Sequence, residues 1–502
     1  MASLSDIRQI VVLMLENRSF DNLFGYMQPQ AGPIDGLNPA SPRTNPRTGG
    51  APVATWSKDA DPSAKTIPDP DPGELFTDIS AQLFNGGLST EPPSMEGFAN
   101  NYASHGGNPL NIMHGFLPDD LPALTTLANE FALCDRWFAS APCQTWPNRF
   151  FVHCATAGGF ENNEVEHAPF PMNTIFNELD GLVPWKIYFH DFPQSALLSR
   201  LWGRLDNFQL FDRFVADAKS GTLPGYSFIE PMYYPTLTEL PNDMHPPHNV
   251  GFGDALVAQV YNAVRSSPQW SSTMLIITFD EHGGCYDHVP PPAAVPPSIP
   301  APGQVFAFDR YGVRVPAVVI SPFTSPMILR APAGQAPFDH TSVIKTVRNC
   351  FGVGNSLTAR DAIAPDLSPV LNAALDPNRG PASLTVTTPN VGFADIKDLI
   401  AKPVNDMQCA LHAFANRLKP AATSTASSPD EHLADVIAQA SSGSSGAACA
   451  PTDARPNAQI AGSDARAVFD SILARFGGEG GATPTPLSPT DKNGPGGIYK
   501  GH

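Results

Sequence analysis

Residues 274–279 read Met-Leu-Ile-Ile-Thr-Phe and run directly into Asp280-Glu281-His282-Gly283-Gly284. A short apolar run rich in β-branched residues, without polar alternation, suits a strand buried on both faces, as in a parallel sheet. Two adjacent carboxylates at the end of such a strand repel each other unless a cation or solvent neutralises them. Ile10 to Leu15 (IVVLML) has the same character and ends in Glu16-Asn17-Arg18-Ser19-Phe20-Asp21. Ala317 to Ile320 (AVVI) is a third such run, between Pro316 and Ser321-Pro322. Asp254 to Ser266 (DALVAQVYNAVRS) repeats its apolar residues every three or four positions, the period of a helix. Buried strands alternating with amphipathic helices predict a layered α/β fold around a mostly parallel sheet. Ligands of such sheets bind beyond the carboxyl ends of the strands. If the strands that end in Glu16-Asn17 and Asp280-Glu281 are neighbours, their side chains form one oxygen-rich site suited to a hard cation.

Composition narrows the partners. With 42% hydrophobic and 16% charged residues in 502, the chain can bury a large core and is too apolar for general disorder. Thirty basic against 48 acidic residues leave a net charge of −18. Such a chain gains nothing from counterion release, which excludes nucleic acid as a partner, and it argues against electrostatic adsorption to anionic lipid. An anionic substrate would need a local cation to offset the repulsion. The seven cysteines are odd in number, widely spaced and without a CxxC pair, so they predict neither a disulfide framework nor a zinc cluster. No run approaches the roughly 18 apolar residues of a membrane span, which predicts a soluble chain. Met1 to Asp6 has no basic region or cleavage site, leaving open a cytoplasmic protein or one exported by a signal outside this sequence. The sequence sets no oligomeric state.

The 54 prolines and 40 glycines predict long connections over a rigid scaffold, where binding groups tend to sit. Residues 28–75 look like a long surface excursion, and residues 421–463 a Ser/Ala/Gly/Pro-rich linker. A helix is expected at about 464–476, and residues 477–502 read as a disordered tail. The expected division is a catalytic domain over 1–380, a C-terminal helical appendage with linkers over 381–476, and that tail.

Between the strands lies Gln144-Thr145-Trp146-Pro147-Asn148-Arg149. Most threonines are structural, but T-x-P-x-R matches the register in which sulfatases place their nucleophile, C/S-x-P-x-R. A hydroxyl held against a divalent cation loses its proton more easily and becomes a usable nucleophile. Arg149 could hold that loop or offer a fork to phosphate oxygens. Cys143 stands two residues too early for the nucleophile and reads as buried structure. Among the histidines, His245 in Asn242-Asp243-Met244-His245-Pro246-Pro247-His248 is the favoured acid to protonate a leaving alkoxide. Asn17, His190 and His282 are candidates for contacts near the phosphoryl group; His288 and His340 read as structural.

Several segments together resemble the phosphoesterase family of bacterial phospholipases C, acid phosphatases and plant non-specific phospholipases C. They are VVLMLENRSFDNLFGYM, EFALCDRWFASAPCQTWPNRFFVH, the DMHPPHN loop, SPQWSSTMLIITFDEHGGCYDHVPPP and FDHTSVIKTV, in the family's order from residue 10 to about 350. AKSGTLPGYSFIEPMYY and the threonine at the nucleophile's position look especially like the non-specific phospholipases. The resemblance implies an alkaline phosphatase-like α/β/α sandwich. It implies a divalent metal on Glu16, Asn17, Thr145, Asp280 and Glu281, and a route through phosphothreonine. His245 matches the family's His-Pro loop, although Asp243-Met244-His245 stands where relatives often have Asp-Asp-His.

The expected activity is therefore that of a phospholipase C-type phosphodiesterase releasing diacylglycerol and a phosphorylated headgroup. A broad-specificity acid phosphatase is the alternative. A non-catalytic lipid- or phosphate-binding module would have lost a ligand or the nucleophile, and all five are present. Oxygen ligands favour Ca, Mg or Mn over Zn, although Zn serves phosphatases of the broader superfamily. A lipid substrate would leave room for peripheral membrane contact, with Trp146, Trp185, Tyr233 and Tyr234 as candidate aromatic surface beside the site.

Overall fold

The computed structural model describes residues 2–57, 65–86, 92–235, 239–300, 304–390 and 405–417. Eight strands form the main sheet: β1 (Gln9–Leu15), β2 (Ala132–Cys134), β3 (Trp185–Phe189), β4 (Phe208–Leu210), β5 (Tyr226–Glu230), β6 (Thr273–Phe279), β7 (Ala317–Ile320) and β8 (Met327–Leu329). They lie in the order β8-β2-β7-β6-β1-β5-β3-β4. Every neighbouring pair is parallel except those made by β7, which runs antiparallel to both β6 and β2. The three apolar runs read from the sequence are β1, β6 and β7. All residues of β6 and β7 are buried, as is β1 from Ile10 onward. Burial on both faces explains why these strands show no polar alternation. Each such side chain contributes about 1.5–3 kcal/mol of hydrophobic burial.

The helices that matter for the site are α1 (Phe76–Phe84), α2 (Phe98–Ser104), α3 (Thr145–Cys154), α4 (Val250–Ser266), α5 (Thr341–Phe351) and α6 (Asp406–Arg417). α4 packs against β1 and β6, and α3 reaches the sheet through His153, whose ring meets Phe228 of β5 at 4.5 Å. The described residues beyond 380 are attached to this body. Tyr261 Oη donates to the Pro381 carbonyl at 2.6 Å and Asn262 Nδ2 to that of Leu384 at 2.9 Å. Met407, Leu411 and Phe414 of α6 belong to the main core, and Gln408 Nε2 donates to the Tyr233 carbonyl at 2.6 Å. The expected linker at 421–463, helix at 464–476 and tail at 477–502 lie outside the described residues. Cys134, Cys143, Cys154, Cys285 and Cys350 are free, whereas Cys409 is disulfide-bonded.

The register of the two central strands decides the site. β1 and β6 are adjacent and parallel, with Leu15 opposite Phe279, the last residue of each strand. The next residues of the two strands, Glu16-Asn17 and Asp280-Glu281, therefore emerge side by side at one edge of the sheet.

Candidate active site

Glu16, Asn17, Asp280 and Glu281 are all fully buried. Asn17 adopts a left-handed backbone (φ 56°), which asparagine tolerates better than most side chains. That turn aims its amide N–H at Asp280 Oδ1 (2.9 Å) and its side-chain Nδ2 at Glu281 Oε1 (2.7 Å). Gly283 completes the junction at φ 59°. A Cβ there would fall 2.2 Å from the Asn17 carbonyl oxygen, so only glycine fits.

Thr145 joins this corner from α3. It is the first residue of that helix, where the free N–H groups and the dipole favour negative charge on its oxygen. Its Oγ1 donates to Asn17 Oδ1 at 3.3 Å. Pro147 falls in the first turn, where its missing N–H costs nothing. Asn148 ties down the approach: its Oδ1 accepts from Ala141 N, and its Nδ2 donates to the carbonyls of Ala141, Cys143 and Gln144. Arg149 turns inward, its Nε donating to Glu16 Oε1 at 2.8 Å and standing 3.9 Å from Asp280 Oδ2. Tyr233 supports the guanidinium from below at 5.8 Å.

The electrostatics are unbalanced. Three buried carboxylates face one guanidinium. Burial pushes Glu16 up to about 8 against the pull of Arg149, and burial likewise raises Asp280 and Glu281. Glu16 Oε2 and Asp280 Oδ2 have no hydrogen-bond partner among the described residues. Buried, unpaired carboxylate oxygens are costly unless a cation meets them. An all-oxygen donor set with orphaned oxygens fits a divalent ion.

His245 borders the corner. Its Nδ1 donates to the Pro246 carbonyl at 2.7 Å, while Nε2 lies 3.0 Å from Asn17 Nδ2 and 3.5 Å from Glu74 Oε2. Burial would lower its pKa, but Glu74 and Asp71 outweigh that and hold the ring well above its ordinary value. Asp243, the acid left in the loop, instead accepts from His248 Nδ1 at 2.7 Å.

The other histidines separate. His282 lies 3.1 Å from Glu281 Oε2 and pairs with Gln82 Oε1 at 2.8 Å; burial lowers it to about 3, so it is neutral. His340 donates from Nε2 to the Asp280 carbonyl at 2.6 Å and so fixes the backbone of that carboxylate. His190 is bonded to the Glu230 carbonyl at 3.1 Å and stacks on Phe211 at 4.3 Å. Trp146, Trp185, Tyr233 and Tyr234 are all buried and form core rather than surface.

Three contributors were not legible in the sequence. Gln194 Nε2 donates to Glu16 Oε1 at 2.9 Å, because Glu230 at the end of β5 accepts from the backbone of Gln194 and Ser195 and holds their turn. Glu74 and Asp71 come from the end of the Pro-rich stretch. No local pattern marks these residues; a buried carboxylate ending β5, beside β1, was the one available signal.

The model of the phosphoesterase family matches residues 7–354. The chain is 38% identical over 395 residues to non-specific phospholipase C3 of Arabidopsis thaliana, covering 74% of each chain. It is 40% identical over 387 residues to non-specific phospholipase C1 of the same plant, covering 71% of this chain and 69% of that one. Among solved structures, a protein in the alkaline phosphatase superfamily from Vibrio parahaemolyticus aligns at 15% identity with a TM-score of 0.30, over 49% of this chain and 63% of that one.

Proposed function

This chain belongs to the phosphoesterase family, and from that premise we infer that it is a phospholipase C-type phosphoesterase, a hydrolase of phosphoric ester bonds. The observation that carries this is the meeting of the T-x-P-x-R hydroxyl with the two carboxylate-bearing strand ends, through Asn17.

Glu16, Asn17, Thr145, Asp280 and Glu281 would hold a divalent ion, with Ca, Mg or Mn matching their oxygen donors. Bound there, the ion supplies the positive charge that lowers the pKa of the Thr145 hydroxyl and offsets the charge of the phosphodiester. The start of α3 favours the same alkoxide. Thr145 Oγ1 loses its proton to water and attacks phosphorus in line, and the bond to the diacylglycerol oxygen breaks. His245, kept charged by Glu74 and Asp71, gives its Nε2 proton to the departing alkoxide. Water then cleaves the phosphothreonine and frees the phosphorylated headgroup. Arg149 acts by holding Glu16 in place, since its Nε is committed to that carboxylate; its Nη1, which has no hydrogen-bond partner among the described residues, is the part left to reach a phosphate oxygen. The Gly283 N–H, which donates to Glu281 Oε2 at 2.9 Å, orients that carboxylate.

No helix among the described residues is long and apolar enough to cross a membrane. Peripheral contact with a lipid surface fits the exposed Ile299 and Val305 (93% and 82%). Val305 directly precedes Phe306, whose ring lies 5.1 Å from that of Phe76, two residues beyond Glu74. A phosphatidylcholine dispersion and a soluble phosphomonoester, offered to the metal-loaded enzyme, test the reading. Release of diacylglycerol at the higher kcat/KM supports it, and turnover of the monoester alone refutes it.

A further inference from the structure

Arg18 follows Asn17 in the chain and is fully buried. Its bonds set it apart from the other buried arginines. Arg149, Arg314 and Arg360 each face a carboxylate, that of Glu16, Asp21 and Asp339 in turn. Arg18 instead donates to four neutral oxygens. Its Nε reaches the Met244 carbonyl at 2.7 Å and its Nη2 that of His248 at 3.4 Å. Its Nη1 reaches the Ile67 carbonyl at 2.7 Å and Asn22 Oδ1 at 3.3 Å. A buried cation costs free energy, and here backbone carbonyls offset that cost.

Two of those carbonyls bracket His245. Met244 is buried at φ 74°, a left-handed conformation that a residue other than glycine adopts only at a cost. Its side chain is wedged against α4, where a Cβ on Gly253 would fall 2.3 Å from Met244 Cγ. A loop so bent needs an outside hold. Arg18 supplies it on one side of His245 through Met244 and on the other through His248, whose N–H donates back to the His245 carbonyl at 2.6 Å. The Glu16 N–H adds a bond to the Asp243 carbonyl at 2.8 Å. The end of β1 therefore carries the loop of His245 as well as Asn17, whose Nδ2 lies 3.0 Å from His245 Nε2.

The planar fork is what lets one side chain do this. A guanidinium presents several N–H groups in fixed directions, so carbonyls of two segments are held at once. A lysine ammonium in its place keeps the charge but cannot span Met244, His248 and Ile67 together. A catalytic group displaced by roughly an ångström from its working position loses about 10² in rate.

We propose that Arg18 is a positioning residue for the general acid, fastening the His245 loop to the end of β1 so that Nε2 meets the leaving oxygen. This rests on the acid role given to His245. The metal-loaded enzyme and its Arg18→Lys and Arg18→Met variants are assayed on two phosphocholine esters. The alkoxide leaving dihexanoylphosphatidylcholine needs a proton, whereas the phenolate leaving p-nitrophenyl phosphocholine does not. Both variants should lose about 10² in kcat/KM on the first ester and less than about tenfold on the second, with the metal content of wild type. The ratio of the two losses does not depend on what fraction of a variant folds. On the first ester, Arg18→Lys added to His245→Asn should cost little beyond His245→Asn alone, because the two residues act as one unit. Equal losses on the two esters, or fully additive losses in the double variant, overturn the proposal. Failure of the acid role shows separately, as equal losses on the two esters for His245→Asn alone, and would overturn both.

Discussion

Thr145 Oγ1 donates to Asn17 Oδ1 at 3.3 Å, linking the first residue of a helix to the residue just past a β-strand, 128 positions away. The same asparagine reaches Glu281 and His245 through Nδ2. One side chain thus orients the nucleophile and a carboxylate ligand.

Asn17→Ala should consequently do more than remove one oxygen donor. It frees Thr145 to rotate and leaves Glu281 Oε1 without its amide donor. We expect kcat to fall by about 10²–10³, on the scale of losing a preorganised charge-stabilising group, with weaker metal retention on dialysis. Steady-state kinetics and metal analysis of the variant check this; a loss in KM alone would contradict it.

Arg149→Met removes the cation facing Glu16 in a fully buried setting. Breaking a buried ion pair from one side costs about 3–5 kcal/mol. Denaturant unfolding of the metal-free protein above pH 8, where Glu16 is ionised, should show a loss of that order.

Glu16 gives the pH dependence. Its ordinary value is 4.5 and burial raises it to about 8 in the folded, metal-free chain. Between those values the unfolded chain has lost the proton that the folded chain keeps. The stability due to this group is therefore full below pH 4.5 and is lost as pH rises to about 8. A divalent ion needs the carboxylate, so binding at pH 7 should release a proton. Metal affinity should climb with pH up to about 8 and then level. Calorimetry in buffers of different ionisation enthalpy measures the released proton, and pH-independent affinity would refute the role given to Glu16.

His245→Asn should depend on the leaving group. A diacylglycerol alkoxide needs a proton, so its release should slow by about 10²–10⁴. A p-nitrophenyl ester, whose leaving group departs unprotonated, should lose much less. Equal losses on the two esters would remove His245 from the acid's role.

The corner formed by β1 and β6 was legible because each signal is local. An apolar run predicts a buried strand, and carboxylates at its end predict a site. Leu15 facing Phe279 turned two separate signals into one place. The nucleophile was legible from the spacing of Thr145, Pro147 and Arg149. Gln194, Asp71 and Glu74 were not, since they reach the site through turns held by Glu230, Tyr102 and Gln82, and no periodicity encodes those distant bonds. The same limit explains the aromatics: Trp146, Trp185, Tyr233 and Tyr234 carry no mark separating a core ring from a lipid-facing one, and all four pack inward.

Covalent catalysis by Thr145 is tested most directly by Thr145→Ala in the metal-loaded enzyme, with folding verified by circular dichroism. The prediction is a fall in kcat of more than about 10³, together with loss of the phosphoryl group that acid quenching traps on residue 145 of the wild type during turnover. A folded Thr145→Ala protein that retains appreciable phospholipase activity would contradict it.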